Sequence, residues 1–130
     1  MESINSEEYP PTCKIKGCVR TTRRRPDVRA VRFRHECDVC RATLQKYGIS
    51  GPERDKILAK QENRCKLCES LVVFQKQSKE MVGKSAVVDH CHSSGRVRGI
   101  LCYTCNLMLG HAKDDTNLLR KAIGYLNDII

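Results

Sequence analysis

Two closely spaced cysteine pairs, Cys65-x-x-Cys68 and Cys102-x-x-Cys105, are the residues of this chain most clearly arranged for chemistry. A CxxC loop lets two thiolates converge on one tetrahedral ion, and a second loop completes a four-sulfur shell, with zinc–sulfur bonds of about 2.3 Å. Such a shell leaves no open position, so this zinc would be structural. Iron in a rubredoxin-like site, a redox dithiol and unliganded thiols are the alternatives. A looser set, Cys13, Cys18, Cys37 and Cys40, offers a second zinc, against buried apolar cysteines or free thiols. The ninth cysteine, Cys91, stands between His90 and His92 and is expected to be a small buried side chain rather than a ligand.

Between the halves of the tighter quartet runs VVDHCHSSGRVRGILCYTCN. Asp89 offers the hard carboxylate oxygen that magnesium prefers. His90 and His92 are imidazoles able to accept a proton near neutral pH. Asn106 directly follows the last cysteine, and on a helix Cys102, Cys105, Asn106 and Leu109 share one face. A zinc gripping Cys102 and Cys105 would therefore fix Asn106 in space. Asp89 and His90 point to opposite sides of a regular strand, so both serve one site only where the strand ends or bulges. Plainer roles exist for each: Asp89 capping the Ser93–Gly95 turn, His92 bonding that turn, His35 as a solvated strand residue, His111 as a donor just past a helix end.

The elements that must position these groups follow from local signals. A short helix is expected near Asp38–Tyr47 with Gly48 as its left-handed cap. Ser50-Gly51-Pro52-Glu53 reads as a capping box opening a helix to about Asn63. Ala86–Asp89 and Arg96–Gly99 read as strands joined by the Ser93-Ser94-Gly95 turn, and Leu101–Gly110 as a helix. Asp114-Asp115-Thr116 offers caps for a last helix to near Ile129, with Leu118, Leu119, Ala122, Ile123, Leu126 and Ile130 on one stripe. Residues 69–85 suggest a strand and a loose turn, and Val28–Arg34 a short strand after Pro26-Asp27.

The chain has 130 residues, no Trp, and 24 Lys and Arg against 15 Asp and Glu, for a net charge of +9. Core aromatics are scarce, which favours reinforcement by metal. No apolar run approaches the roughly 20 residues of a membrane span, and the acidic MESINSEEYPPT lacks a signal's basic start and apolar segment. A reducing location, the cytoplasm, is expected, where close cysteines bind metal rather than pair. Most of the charge excess lies in residues 13–46. Arg23, Arg24, Arg25, Arg29, Arg32 and Arg34 within the looser cysteine loop form a basic patch suited to phosphate backbones, to which Arg96 and Arg98 of the second strand are added.

These residues resemble the recombination endonuclease VII branch of the HNH, or ββα-metal, nucleases. The likeness rests on Lys46-Tyr47-Gly48-Ile49-Ser50, Cys65-Lys66-Leu67-Cys68, Val88-Asp89-His90-Cys91-His92, the run Ser94 to Cys102, Cys105-Asn106, Leu109-Gly110-His111 and Asp114-Asp115. From about residue 46 onward it implies a small zinc-stabilised α+β domain with a ββα-metal core over 48–130 and flanking helices. Ahead of it, cysteine spacing and charge give a basic cysteine- and arginine-rich zinc module over 13–47, a piece that family members often carry, and the acidic start reads as a disordered lead-in over 1–12. The resemblance implies Asp89 and Asn106 as ligands of catalytic magnesium or manganese, His90 as general base, and His92 as steering the phosphate or supporting the metal. Cys65, Cys68, Cys102 and Cys105 would hold structural zinc. Two positions depart from the pattern: Cys91 replaces a residue commonly acidic or polar, and Leu109 replaces an acidic one, which bears on metal affinity and junction preference. The implied function is hydrolysis of phosphodiesters in branched or duplex DNA, leaving 5′-phosphate and 3′-hydroxyl ends. Phage origin, four-way-junction resolution and a homodimer are part of the same implication. The competing function is a non-catalytic two-zinc nucleic-acid-binding adaptor, which would not need Asp89, His90 and Asn106 together.

Overall fold

The structure is a computed structural model that describes residues 11–23, 35–74 and 84–128. Its elements run α1 (Asp38–Tyr47), α2 (Gly51–Lys60), β1 (Ala86–His90), β2 (Val97–Cys102), α3 (Tyr103–His111) and α4 (Thr116–Asn127). Helix α1 starts on Cys37, whose side chain accepts from Cys40 N, and stops at Gly48, whose φ of +70° few other residues tolerate. In α2 the capping box is complete: Ser50 N donates to Glu53 Oε2 at 2.6 Å and Glu53 N to Ser50 Oγ at 3.3 Å. This helix ends at Lys60 rather than near Asn63, because Glu62 and Asn63 turn left-handed, with φ of +54° and +58°.

Strands β1 and β2 pair antiparallel, with Ala86 opposite Cys102 and Val88 opposite Ile100. β2 begins and ends later than the sequence suggests, and α3 starts at Tyr103 rather than Leu101. A short apolar run such as Ile100-Leu101 carries no period to separate strand from helix. Cys102 settles the boundary, since its Sγ accepts from Cys105 N at 3.3 Å and so caps α3. The side-chain amide of Gln61 lies along β2, accepting from Ile100 N at 2.9 Å and donating to Ile100 O at 2.8 Å. Gly99 leaves room there: a Cβ would stand 2.7 Å from Lys66 Cδ and 3.1 Å from Gln61 Oε1.

The main core gathers Leu58, Val72, Val88, Ile100 and Leu101 around Cys65 and Cys102, with Tyr47, Phe74 and Leu109 packed against it. A second cluster, around the start of α1, has Cys13, Cys18, Cys37 and Cys40 as its buried hydrophobic residues among those described, flanked by Ile15, Val39 and Leu44. It is tied to α2 by Gly51 N, which donates to Cys40 Sγ at 3.3 Å, and by Arg20, which donates to Asp55 at 2.5 Å. Helix α4, capped by Asp115, buries no residue among those described. Its stripe shows Leu118, Ile123 and Leu126 about half to four-fifths exposed. No helix among the described residues is long and apolar enough to cross a membrane. The expected strand Val28–Arg34, the loop over 75–83, Ile130, most of the lead-in, and Arg24, Arg25, Arg29, Arg32 and Arg34 lie outside the described residues.

Candidate active site

Each cysteine quartet brings four sulfurs within 4.8 Å of one another. Separations of 3.6 Å for Cys18–Cys40 and 3.8 Å for Cys18–Cys37 and Cys68–Cys102 are far too long for disulfides, and all nine cysteines are free. They match the edge of about 3.8 Å that a tetrahedron with 2.3 Å zinc–sulfur bonds requires. Backbone N–H groups also aim at the sulfurs: Cys40 N at Cys37, Cys105 N at Cys102 and Leu67 N at Cys65, at 3.3 to 3.4 Å. Burial pushes the Cys40 thiol up to about 12 and raises Cys105 as well. Burial acts on Cys18 too, but hydrogen bonds from Arg20 and the neighbouring cysteines outweigh it and bring that thiol down to about 7. Enclosed thiols such as Cys40 and Cys105 ionise beside their neighbours only around a cation, and a hydrogen bond with Ser70 already lowers the exposed Cys68 to about 6, so both donor sets fit zinc.

Near the second quartet, the end of α1, β1 and α3 frame a cavity of about 510 Å³ whose lining includes Asp89, His90, His92 and Asn106. Asp89 and His90 both line it, beside a register break in the hairpin: Asp89 stands opposite Gly99 but His90 opposite Val97, so Arg98 is an extra residue on β2. Asn106 comes in from α3, in the first turn after Cys105. The buried carboxylate of Asp89 and the side-chain amide of Asn106 are oxygen donors of the type that fits magnesium or manganese.

The rest of the lining was less legible. Tyr47, at the end of α1, sets its ring edge-on to His90 at 5.4 Å between centroids, and His92 meets His90 at 5.0 Å. Lys46 Nζ sits 5.2 Å from the Tyr47 ring and puts a positive charge on the rim. Arg98 does not simply face outward: it donates to Asp89 Oδ2 at 2.6 Å through Nε and to Oδ1 at 2.9 Å through Nη2, and reaches Asp114 at 3.2 Å. His92 Nδ1 lies 2.8 Å from the other oxygen of Asp114. Asp89, His92, Arg98 and Asp114 all stand in the matched motifs, but no local spacing in the sequence pairs them.

Arg96 precedes β2 and is exposed. Arg23, the described member of the expected basic patch, pairs with Asp38 at 2.6 Å. His111 ends α3 and lines the cavity, while His35 is exposed in a bend. Cys91 is not the buried side chain expected of it. It is partly exposed, its Sγ 3.1 Å from Ser93 Oγ, and hydrogen bonds from Ser93 and Ser94 lower its thiol to about 6.

Comparison with known proteins adds three findings. A family model described as recombination endonuclease VII matches residues 40–128. The Gene 59 proteins of Mycobacterium phages L5 and D29 are each 39% identical over 84 residues, which is 64% of this chain and 46% of theirs. The chain thus spans about half the length of these curated relatives. The crystal structure of the ββα-Me type II restriction endonuclease Hpy99I is similar at 25% identity with a TM-score of 0.41, covering 91% of this chain and 65% of that one.

Proposed function

The chain belongs to the recombination endonuclease VII family, and on that premise we propose that it is a metal-dependent DNA endonuclease of the HNH type. The observation that carries this reading is the shared cavity, which Asp89 and His90 line from the end of β1 and Asn106 from α3. In this reading His90 takes a proton from the water that attacks phosphorus. The edge of the Tyr47 ring limits its rotation. Asp89 and Asn106 would hold magnesium or manganese, which when bound would offset the negative charge that develops on the phosphate. Arg96 and Lys46 meet flanking phosphates, and the basic residues of the module over 13–47 add affinity without sequence preference. The domain over 48–130 performs the cut, leaving 5′-phosphate and 3′-hydroxyl ends.

The relatives are phage proteins, which supports action in the cytoplasm of an infected host on branched or duplex DNA. Resolution of a four-way junction by a homodimer is the most specific form of the proposal, since two symmetric sites can cut in pairs. The test is magnesium-dependent nicking of supercoiled plasmid, followed by linear, nicked, flap and four-way-junction substrates. His90→Ala should cut turnover by about 10²–10⁴-fold while DNA binding persists. A zinc-loaded wild-type protein that binds DNA but never nicks it would favour the adaptor instead.

A further inference from the structure

We propose that Asp114 is a positioning residue that aligns two sides of the site at once: His92 directly, and the Asp89 carboxylate through Arg98. This rests on the endonuclease reading for its purpose, but its geometry stands on its own. Asp114 sits in the turn between α3 and α4, and it is not the helix cap. Asp115 takes that role, its Oδ1 accepting from Asn117 N at 2.8 Å and Leu118 N at 3.1 Å. Of the adjacent aspartates, one therefore ends a helix and the other turns back toward the hairpin.

The backbone is bent to permit this. Lys113 and Asp114 adopt consecutive left-handed conformations, φ of +53° and +55°, where glycine is the residue of least strain. The turn is held by Lys113 N on Gly110 O at 3.0 Å and Asp114 N on Leu109 O at 3.1 Å. Aspartate tolerates this conformation better than most non-glycine residues. Here Oδ2 lies 2.8 Å from His92 Nδ1 and Oδ1 accepts from Arg98 Nη2 at 3.2 Å. The fork of Arg98 in turn grips both oxygens of Asp89. A single guanidinium thus sits between two carboxylates, one buried in the cavity and one in the turn.

The hydrogen-bond logic fixes a tautomer. The His92 and Arg98 contacts hold Asp114 below its ordinary carboxyl range, so it is ionised near neutral pH and can only accept. His92 Nδ1 must then carry the proton, which leaves Nε2 of the neutral ring as the free nitrogen. Carboxylates placed this way orient imidazoles around metal centres, and losing one costs about 10–100-fold in metal affinity or activity.

The test is Asp114→Gly, because glycine suits the backbone and removes only the carboxylate. In zinc-loaded protein, long-range ¹H–¹⁵N spectra of the histidine rings, with His92 assigned from a His92→Gln sample, should show His92 as the Nδ1–H form in wild type. In Asp114→Gly that preference should be lost while the melting temperature holds or rises. Manganese titration by calorimetry should show affinity weakened about 10-fold or more in the same variant. Unchanged His92 signals and unchanged manganese affinity would overturn the proposal, as would a variant that unfolds, because the role would then be structural. Failure of the wild type to bind manganese or nick DNA would instead count against the endonuclease reading, and the ring spectra would still decide the tautomer.

Discussion

The two cysteine quartets share one device and differ in everything around it. In both, the first cysteine of a CxxC caps a helix and accepts from the N–H of the second at 3.3 Å, Cys37 with Cys40 on α1 and Cys102 with Cys105 on α3. The first quartet is wholly buried and, among the described residues, supplies every buried hydrophobic residue of its own cluster. The second has an exposed member, Cys68, and an apolar core beside it, with Ile100 and Val72 almost fully enclosed. The same ligand chemistry thus does two jobs. In one place it substitutes for a core, and in the other it fastens a hairpin and a helix onto a core that already exists.

The sharpest way to break this comparison is Cys40→Ser. Structural zinc in small modules is worth about 10–16 kcal/mol of folding free energy. The variant should lose about one zinc equivalent by mass spectrometry and amide-exchange protection across residues 11–23 and 35–48, with protection in β1 and β2 retained. Joint collapse of both regions would show that the quartets are not separable. Packing gives the next largest contrast. Ile100→Ala should cost about 2–5 kcal/mol in urea melts. Leu44→Ala, at the flank of the first cluster, should cost under about 1.5 kcal/mol. Equal losses would mean the first cluster has a conventional core after all. Gly99→Ala should follow at about 1–3 kcal/mol, since the new methyl meets Lys66 and Gln61 inside contact distance. The smallest effect concerns the cysteine outside both quartets. With its thiol lowered to about 6, Cys91 is mostly thiolate at pH 7 and protonates as the pH falls below that value. Iodoacetamide should therefore label Cys91 first in zinc-loaded protein, with a rate that drops through pH 6. Labelling of Cys68 ahead of it would show the second quartet to be open.

Much of this fold was legible because its signals are local. Gly48, the Ser50–Glu53 box and the Asp115 cap each act over three or four residues, and each helix start lies within a residue or two of its sequence signal. Cysteine spacing announced both quartets for the same reason. What stayed hidden is what joins distant segments. The bond between Arg98 and Asp89 crosses a bulge, and a bulge has no period to detect. Gln61 reaches Ile100 across 39 positions with a side chain that looks like any solvated glutamine in sequence. The stripe on α4 was correctly read as a pattern, yet amphipathicity gives no address for a partner, and the helix buries no residue.

The amide of Gln61 has one more consequence. A two-stranded ribbon ends in two rows of unsatisfied N–H and C=O groups, and such rows recruit strands from other molecules. By occupying both backbone groups of Ile100, Gln61 acts as a one-residue decoy strand, helped by Lys66 N on the same carbonyl at 3.0 Å. The side chain that ends α2 thereby closes this edge of the hairpin, at Ile100, to a further strand.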